Sequence, residues 1–192
     1  MTKKKPKRPK RNSKGDGLPG RPTAKATVAR MIRVDHAGEF GAQRIYAGQL
    51  SVLGKGKTGD ILRHMAKQEE AHLAAFEQQM IERQVRPTVL HPLWRVAGFA
   101  LGAFTATLGE KAAMACTVAV EEVIDEHYKG QLEILGDDES ALRGLITKFR
   151  NEEIEHKDIG LGHGAEELAY FPLLRALIRA GSKTAIWLSE RV

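Results

Sequence analysis

Two short motifs in this 192-residue chain carry metal-type side chains at the same spacing: Glu69-x-x-His72 and Glu153-x-x-His156. On an α-helix, positions i and i+3 point the same way, so each motif offers a carboxylate and an imidazole to one ion or to two adjacent ions. Glu39 precedes the first motif by 30 residues and Glu121 precedes the second by 32. The chain therefore reads as two copies of one unit, a helix with a lone Glu followed by a helix with Glu-x-x-His. One Glu-x-x-His arises readily by chance among seventeen Glu and seven His; two, each about 30 residues after a lone Glu, do not. The single cysteine, Cys116, excludes an intrachain disulfide framework and a cysteine-held zinc or iron–sulfur site. Any bound metal must be held by Glu, Asp and His.

The elements that position these groups are helices. From residue 24 onward no run alternates apolar and polar with period two, whereas helical periodicity recurs throughout. The pattern predicts helices over about 24–53, 60–84, 110–135, 139–167 and 172–190. The Gly54–Gly59 stretch ends the first, Pro87, His91 and Pro92 sit in a loop, and Gly136-Asp137-Asp138 stops the third. The candidate ligands fall where core residues belong. Glu69 and His72 interrupt the stripe Leu62, Met65, Leu73, Phe76, Met80, and Glu153 and His156 continue Leu142, Leu145, Ile146, Phe149. Glu39 lies on the stripe from Ile32 to Leu53, and Glu121 follows the uncharged run Ala112–Val120. Lys and Arg are missing from these stripes, and an unpaired buried carboxylate is strongly destabilising, so a multivalent cation is the simplest compensation. Four Glu and two His from four helices form the ligand set of a ferritin-like di-iron or di-manganese carboxylate bundle. Such oxygen-rich ligation suits Fe or Mn better than structural zinc.

Other residues carry weaker signals. His127 and Tyr128 follow Glu121 by six and seven positions, and Tyr128 falls on the ligand-bearing stripe. A phenol or imidazole there can relay protons or tune a ligand, the alternative being a packed core residue with a satisfied polar tip. Asp35, His36 and Asp125 are candidates for outer partners of the ligand imidazoles. Glu70, Glu122, Glu152 and Glu155 rotate off the stripes and are set aside. His64 and His91 read as surface or loop histidines, and His163 as a buried hydrogen-bonding continuation of the fourth stripe.

The net charge of +6 is split unevenly: residues 1–30 hold eleven Lys/Arg against Asp16, and the remainder holds nineteen basic against twenty-three acidic residues. Bulk charge thus makes no case for a nucleic-acid partner, and none is expected. Residues 1–23 have only Met1 and Leu18 as large apolar residues and predict a disordered polybasic tail: a solubilising arm first, then an anchor to anionic lipid, then an RNA-binding segment. They lack the patterns of a secretory signal or a transit peptide, which points to a bacterial cytoplasmic setting. The folded domain is then 24–192. Val96–Gly109 runs 14 residues without a charge, short of the roughly 20 that span a bilayer. The last helix places Arg175, Arg179 and Lys183 on one stripe and Leu174, Leu177, Ile178, Ala185 and Leu188 on other faces, a pattern that lies on membranes or docks on partners. The expected architecture is all-α, a ferritin-like four-helix bundle with additional membrane-interacting helical segments, peripheral on the cytoplasmic side of the cell membrane.

Several blocks resemble the demethoxyubiquinone hydroxylase family of ubiquinone biosynthesis: Arg33 to Ala42, Gln68 to Leu73, Gly109 to Glu122 with His127-Tyr128, Phe149 to Leu161, and Ala185 to Arg191. The resemblance covers roughly residues 24–192 and assigns the metal ligands to Glu39, Glu69, His72, Glu121, Glu153 and His156. It gives His127 and Tyr128 a role near the metals, and Asp125 lies outside it. It implies a monooxygenase with two carboxylate-bridged iron ions that uses O2 to hydroxylate the ring of a polyprenyl demethoxyubiquinol or demethoxyubiquinone, with NADH as reductant. It further implies peripheral membrane association and a quinone-presenting partner protein, and is compatible with a homo-oligomer. Gly54-Lys55-Gly56 follows a helix rather than a strand, so no dinucleotide-binding loop is visible and a nicotinamide would bind weakly or act through the quinone. Rival readings are a ferritin-like ferroxidase, a di-iron tRNA hydroxylase using the basic tail, and a structural membrane-binding helical protein.

Overall fold

Thr23 opens the first helix by accepting a hydrogen bond from the Ala26 amide on its Oγ1 at 3.1 Å, which satisfies one of the free donors at the helix start. The computed structural model describes residues 23–192, and the expectation for the polybasic tail falls on residues 1–22, outside the described residues. Helix α1 spans Ala24–Leu53 and α2 spans Gly56–Arg83. The Gly54–Gly59 stretch was expected to be a break along its whole length, yet α2 begins within it. A Cβ at Gly59 would crowd the backbone of Leu53 and Gly54, so glycine here lets the second helix start tightly against the end of the first. The charge-free segment forms most of α3 (His91–Thr107), which the periodicity did not resolve as a helix. Helix α4 covers Glu110–Ile134, α5 covers Ser140–Gly162 and α6 covers Phe171–Ser189. The expected 139–167 helix stops early because Gly164 turns into left-handed backbone at φ 80° and a 3-10 turn follows over Ala165–Glu167. Among the described residues there is no strand.

Helices α1, α2, α4 and α5 form the bundle. The pairing of Asp35 with His127, Tyr46 with Glu121 and Gln49 with Ala113 shows that α1 and α4 run antiparallel. Two apolar clusters fill the ends. One gathers Ile32, Phe76, Leu142, Ile146 and Phe149, and the other Leu62, Met65, Met114 and Val118. The Glu and His positions of all four helices fall between these plugs.

The outer helices are held differently. Helix α3 lies against α1 backbone to backbone, since a methyl group at Gly48, Gly98 or Gly102 would collide with the opposite main chain. Helix α6 lies on α4 through ions. Arg175 forks onto both Glu122 oxygens at 2.8 Å, Arg179 bridges Glu122 and Glu126, and Lys183 reaches Glu126 at 2.9 Å. The basic stripe expected to face a membrane or a partner is therefore engaged within the fold. The exposed stripe of α6 is Leu173, Leu177, Ala180, Thr184 and Trp187, without a charge.

Candidate metal centre

All six candidate ligands are at most 1% exposed. They form two overlapping clusters, Glu39, Glu69, His72, Glu153 and Glu69, Glu121, Glu153, His156, in each of which one ligand atom per residue lies within 4.8 Å of the others. Glu69 and Glu153 belong to both. Each imidazole turns its Nδ1 inward: His72 Nδ1 is 3.0 Å from Glu153 and 3.4 Å from Glu39, and His156 Nδ1 is 3.1 Å from both Glu69 and Glu153. Glu39 and His72 are thus particular to one position, Glu121 and His156 to the other, and two carboxylates are shared.

Four carboxylates this close cannot all be charged in a dry interior. Burial and the neighbouring carboxylates push Glu69 and Glu121 well above the usual carboxylate range, and burial raises Glu153. Burial opposes ionisation at Glu39 too, but His72 holds it below its usual value. Burial alone would depress His72, yet Glu153 and Glu39 outweigh it and raise the imidazole to about 10; His156 is lowered by burial. Even so, Glu39 Oε2, both oxygens of Glu69, Glu121 Oε2, Glu153 Oε1 and His72 Nδ1 have no hydrogen-bond partner. Buried polar atoms are nearly always satisfied, so six orphans converging on one spot call for a ligand. Their donor set, carboxylate oxygen with imidazole nitrogen and no thiolate, fits a pair of divalent ions such as iron or manganese.

The surroundings repeat the twofold pattern. Tyr128 on α4 donates its hydroxyl proton to Glu39 Oε1, and Tyr46 on α1 donates to Glu121 Oε1 at 3.1 Å. Both phenols stay protonated, because burial and the facing carboxylates push them well up. The outer Nε2 of His72 meets Glu152 at 2.6 Å, and that of His156 meets Gln68 at 3.0 Å.

The chain matches the family model described as "Ubiquinone biosynthesis protein COQ7" over residues 26–189. It belongs to that family. A relative from Rhodospirillum rubrum named 3-demethoxyubiquinol 3-hydroxylase is 57% identical over 183 residues, 95% of this chain and 86% of the relative. The human protein named NADPH-dependent 3-demethoxyubiquinone 3-hydroxylase, mitochondrial, is 53% identical over 173 residues, 88% of this chain and 80% of its own. A Saccharomyces cerevisiae protein named 5-demethoxyubiquinone hydroxylase, mitochondrial, is 38% identical over 184 residues, covering 87% and 79%.

In this COQ7-family chain, sequence reasoning missed or misplaced several residues around the ligands. Glu152, set aside by its phase on the helix, reaches His72, and Gln68 and Tyr46 went unremarked as partners. The signal was present: Tyr46 follows Glu39 by seven, as Tyr128 follows Glu121, and Gln68 and Glu152 each immediately precede a ligand Glu. Asp35, His36 and Asp125 do not touch the ligand imidazoles. Asp125 pairs with Arg150 at 2.6 Å. Asp35 accepts from Gln131 at 2.6 Å and pairs with His127 Nε2 at 3.2 Å. His36 stacks on His91, with ring centroids 4.9 Å apart, and His91 starts α3 rather than sitting free in a loop. His163 bonds to the Ile159 carbonyl as expected of a hydrogen-bonding histidine but is exposed, because α5 ends there. His127, with its side chain 21% exposed, stands at the seam of α1 and α4, next to Tyr128.

An apolar cavity of about 490 Å³ opens between α1, α3, α4 and α6, bordered by Gly38, Gly41, Trp94, Phe104, Ile178 and Gly181 among others. Trp94 Nε1 donates to Ser189 Oγ at 3.1 Å along its wall. A larger depression of about 610 Å³ lies at the bundle end around Lys25, Arg83 and Glu139. It mixes charged and apolar groups and lies at the bundle end away from the ligands, so the smaller apolar cavity is the better candidate for an organic molecule.

Proposed function

We propose that the chain is a monooxygenase that hydroxylates the ring of a polyprenyl demethoxyubiquinol, with two iron ions held by Glu39, Glu69, His72, Glu121, Glu153 and His156, O2 as oxidant and a reduced nicotinamide as electron source. The observation that carries the reading is the pair of buried clusters sharing Glu69 and Glu153. The names of the relatives supply the substrate class; the human relative's name gives NADPH, where the resemblance implied NADH. Bound iron would supply the reduction of O2 and the transfer of one oxygen atom to the ring.

The chain's own residues supply the rest. Glu69 and Glu153 would bridge the two positions, and Glu39 and Glu121 would each complete one. Tyr128 and Tyr46 keep their protons and hold Glu39 and Glu121 by their Oε1 atoms, fixing which oxygen faces the ions. His127, held by Asp35 through its Nε2, lies beside Tyr128 with its side chain partly exposed and would supply protons from the solvent side. The apolar cavity takes the quinol and keeps water from it. A ferroxidase would have no use for such a cavity.

A polyprenyl substrate resides in a bilayer, and the exposed apolar residues of α3 (Leu93, Val96, Phe104) and α6 (Leu173, Leu177, Trp187) support a seat on its surface. No helix among the described residues is long and apolar enough to cross a membrane. The proposed seat is peripheral, on the cytoplasmic face of a bacterial cell membrane, where a quinone-presenting protein could dock. The deciding experiment is iron analysis with Mössbauer spectroscopy of the anaerobically reduced protein, with ubiquinone profiling of a strain lacking the chain. Two coupled irons per chain and accumulation of the demethoxy precursor are expected. A mononuclear signal, or normal ubiquinone in that strain without a redundant hydroxylase, would overturn the reading. Liposome flotation tests the membrane seat, and failure to float refutes it.

A further inference from the structure

The helical glycines around α1 divide into two kinds. At Gly48, Gly98 and Gly102 an added methyl group would strike the facing backbone, so the α1–α3 contact requires glycine. At Gly38, Gly41 and Gly181 an added Cβ would meet nothing within 4 Å. None of these three has the positive φ that favours glycine; that conformation occurs at Gly56, Gly109 and Gly164. Glycine inside a helix is destabilising relative to alanine, so three such residues without a packing or backbone reason need another one.

All three border the apolar cavity. Gly38 and Gly41 are partly buried in its wall, where the open space beyond them is the cavity, and Gly181 stands exposed at its rim. Two of them stand on α1, and Gly38 immediately precedes the candidate ligand Glu39. Trp94 and Phe104 stand on the α3 side and Ile178 on the α6 side, and no residue lining the cavity carries a charge. A neutral, largely apolar occupant with a ring fits these walls.

We propose that Gly38, Gly41 and Gly181 set the bore of this cavity, leaving a seat for the quinol ring against the helix that carries Glu39. The choice of occupant rests on the function proposed above. On this account the three glycines trade helix stability for space, and the trade is reversible by substitution.

The test uses the full-length, iron-loaded chain in a Trp187→Phe background, which leaves Trp94 as the only tryptophan. Ubiquinone-1, a quinone that quenches tryptophan fluorescence, is the probe, at fixed detergent concentration. The parent should show saturable quenching. Gly38→Leu and Gly41→Leu should weaken it about tenfold or more by filling the seat. Gly38→Ala, Gly41→Ala and Gly181→Ala should each raise the melting temperature by about 2–4 °C while weakening quenching by a smaller factor. Gly144→Ala on α5, where a Cβ also meets nothing, should raise the melting temperature equally and leave quenching unchanged. Iron content measured on every variant should stay at the parent value. Leucine variants that bind as the parent does, alanine variants that lose stability, or quenching that falls only in step with iron content would each overturn the role of the glycines and leave the proposed function standing. A parent without saturable quenching would overturn the cavity as the quinol site, and this inference with it.

Discussion

Glu39 and Tyr46 stand seven residues apart on α1, as Glu121 and Tyr128 do on α4, and each tyrosine reaches across to hold the other helix's carboxylate. Around this inner symmetry the two halves diverge. His72 backs onto the carboxylate of Glu152, whereas His156 backs onto the neutral amide of Gln68. Tyr128 has the partly exposed His127 with Asp35 beside it, while Tyr46 packs, beyond Glu121, against apolar side chains such as Leu62 and Met65. Helix α1 is covered by α3 through bare backbone contact and α4 by α6 through ion pairs. The inner symmetry is that of two like ligand sets, as the proposed pair of like cations would require. The outer asymmetry means that the two positions are electrostatically unequal, with a carboxylate behind His72 and a neutral amide behind His156.

The largest effect should come from removing a shared group. Glu69→Ala or Glu153→Ala should leave less than one bound iron per chain, whereas Glu39→Ala or Glu121→Ala should spare one position; iron analysis distinguishes them. If all four behave alike, the sharing is wrong.

The metal-free protein offers a second test. Glu69, Glu121 and Glu153 are raised, so they hold protons in the fold above the pH, about 4.3, at which an unfolded chain's carboxylates release theirs. His72 holds its proton up to about 10, against about 6.5 in an unfolded chain. The fold therefore binds more protons than the unfolded chain between about pH 7 and 9, above the range in which the lowered His36, His91 and His156 act the other way. The stability of the stripped protein should fall as pH rises through that window, by about 1.4 kcal/mol per pH unit for each proton held. Glu39, being lowered, works oppositely, and its contribution is lost only as the pH drops below the ordinary carboxylate range. Chemical denaturation across pH checks this, and iron loading should flatten the slope.

On the side that carries His127, His127→Ala and Tyr128→Phe should slow turnover by about 10²-fold or more with iron content unchanged. Tyr46→Phe should do far less, and equal losses would erase the functional asymmetry. Glu152→Gln makes the outer partners alike. It should weaken the Glu39/His72 position by about 10–100-fold in an iron titration and bring the two Mössbauer doublets closer. Gln68→Glu should strengthen the other position. The smallest effect belongs to the outer helix: Arg179→Ala removes a partly exposed ion-pair partner and should reduce stability by about 1 kcal/mol, read by thermal unfolding.

Much of this was legible in the residues. Helix α1 follows its apolar period from Ala24 to Leu53, and all six candidate ligands announce themselves by occupying apolar stripes. Helix α3 was not, because apart from the exposed Arg95 its outer face is as apolar as its packed one and so leaves little amphipathic signature. Glu152 was discarded because its phase places it off its own helix's stripe, and phase says nothing about a long side chain reaching the neighbouring helix. The basic stripe of α6 looked outward-facing because the acids that neutralise it, Glu122 and Glu126, lie some fifty residues away on α4.

The chain's order of residues alone determined the helices, their apolar stripes and the carboxylates and imidazoles set into them, since a helix's faces depend only on positions within about two turns. The tertiary structure decided how each helix is rotated and staggered against the next. That choice joins Tyr46 to Glu121 and Tyr128 to Glu39, backs one histidine with a charge and the other with an amide, turns the arginines of α6 inward and leaves a cavity beside Gly38 and Gly41. It depends on the summed packing of many distant side chains, which no local period records.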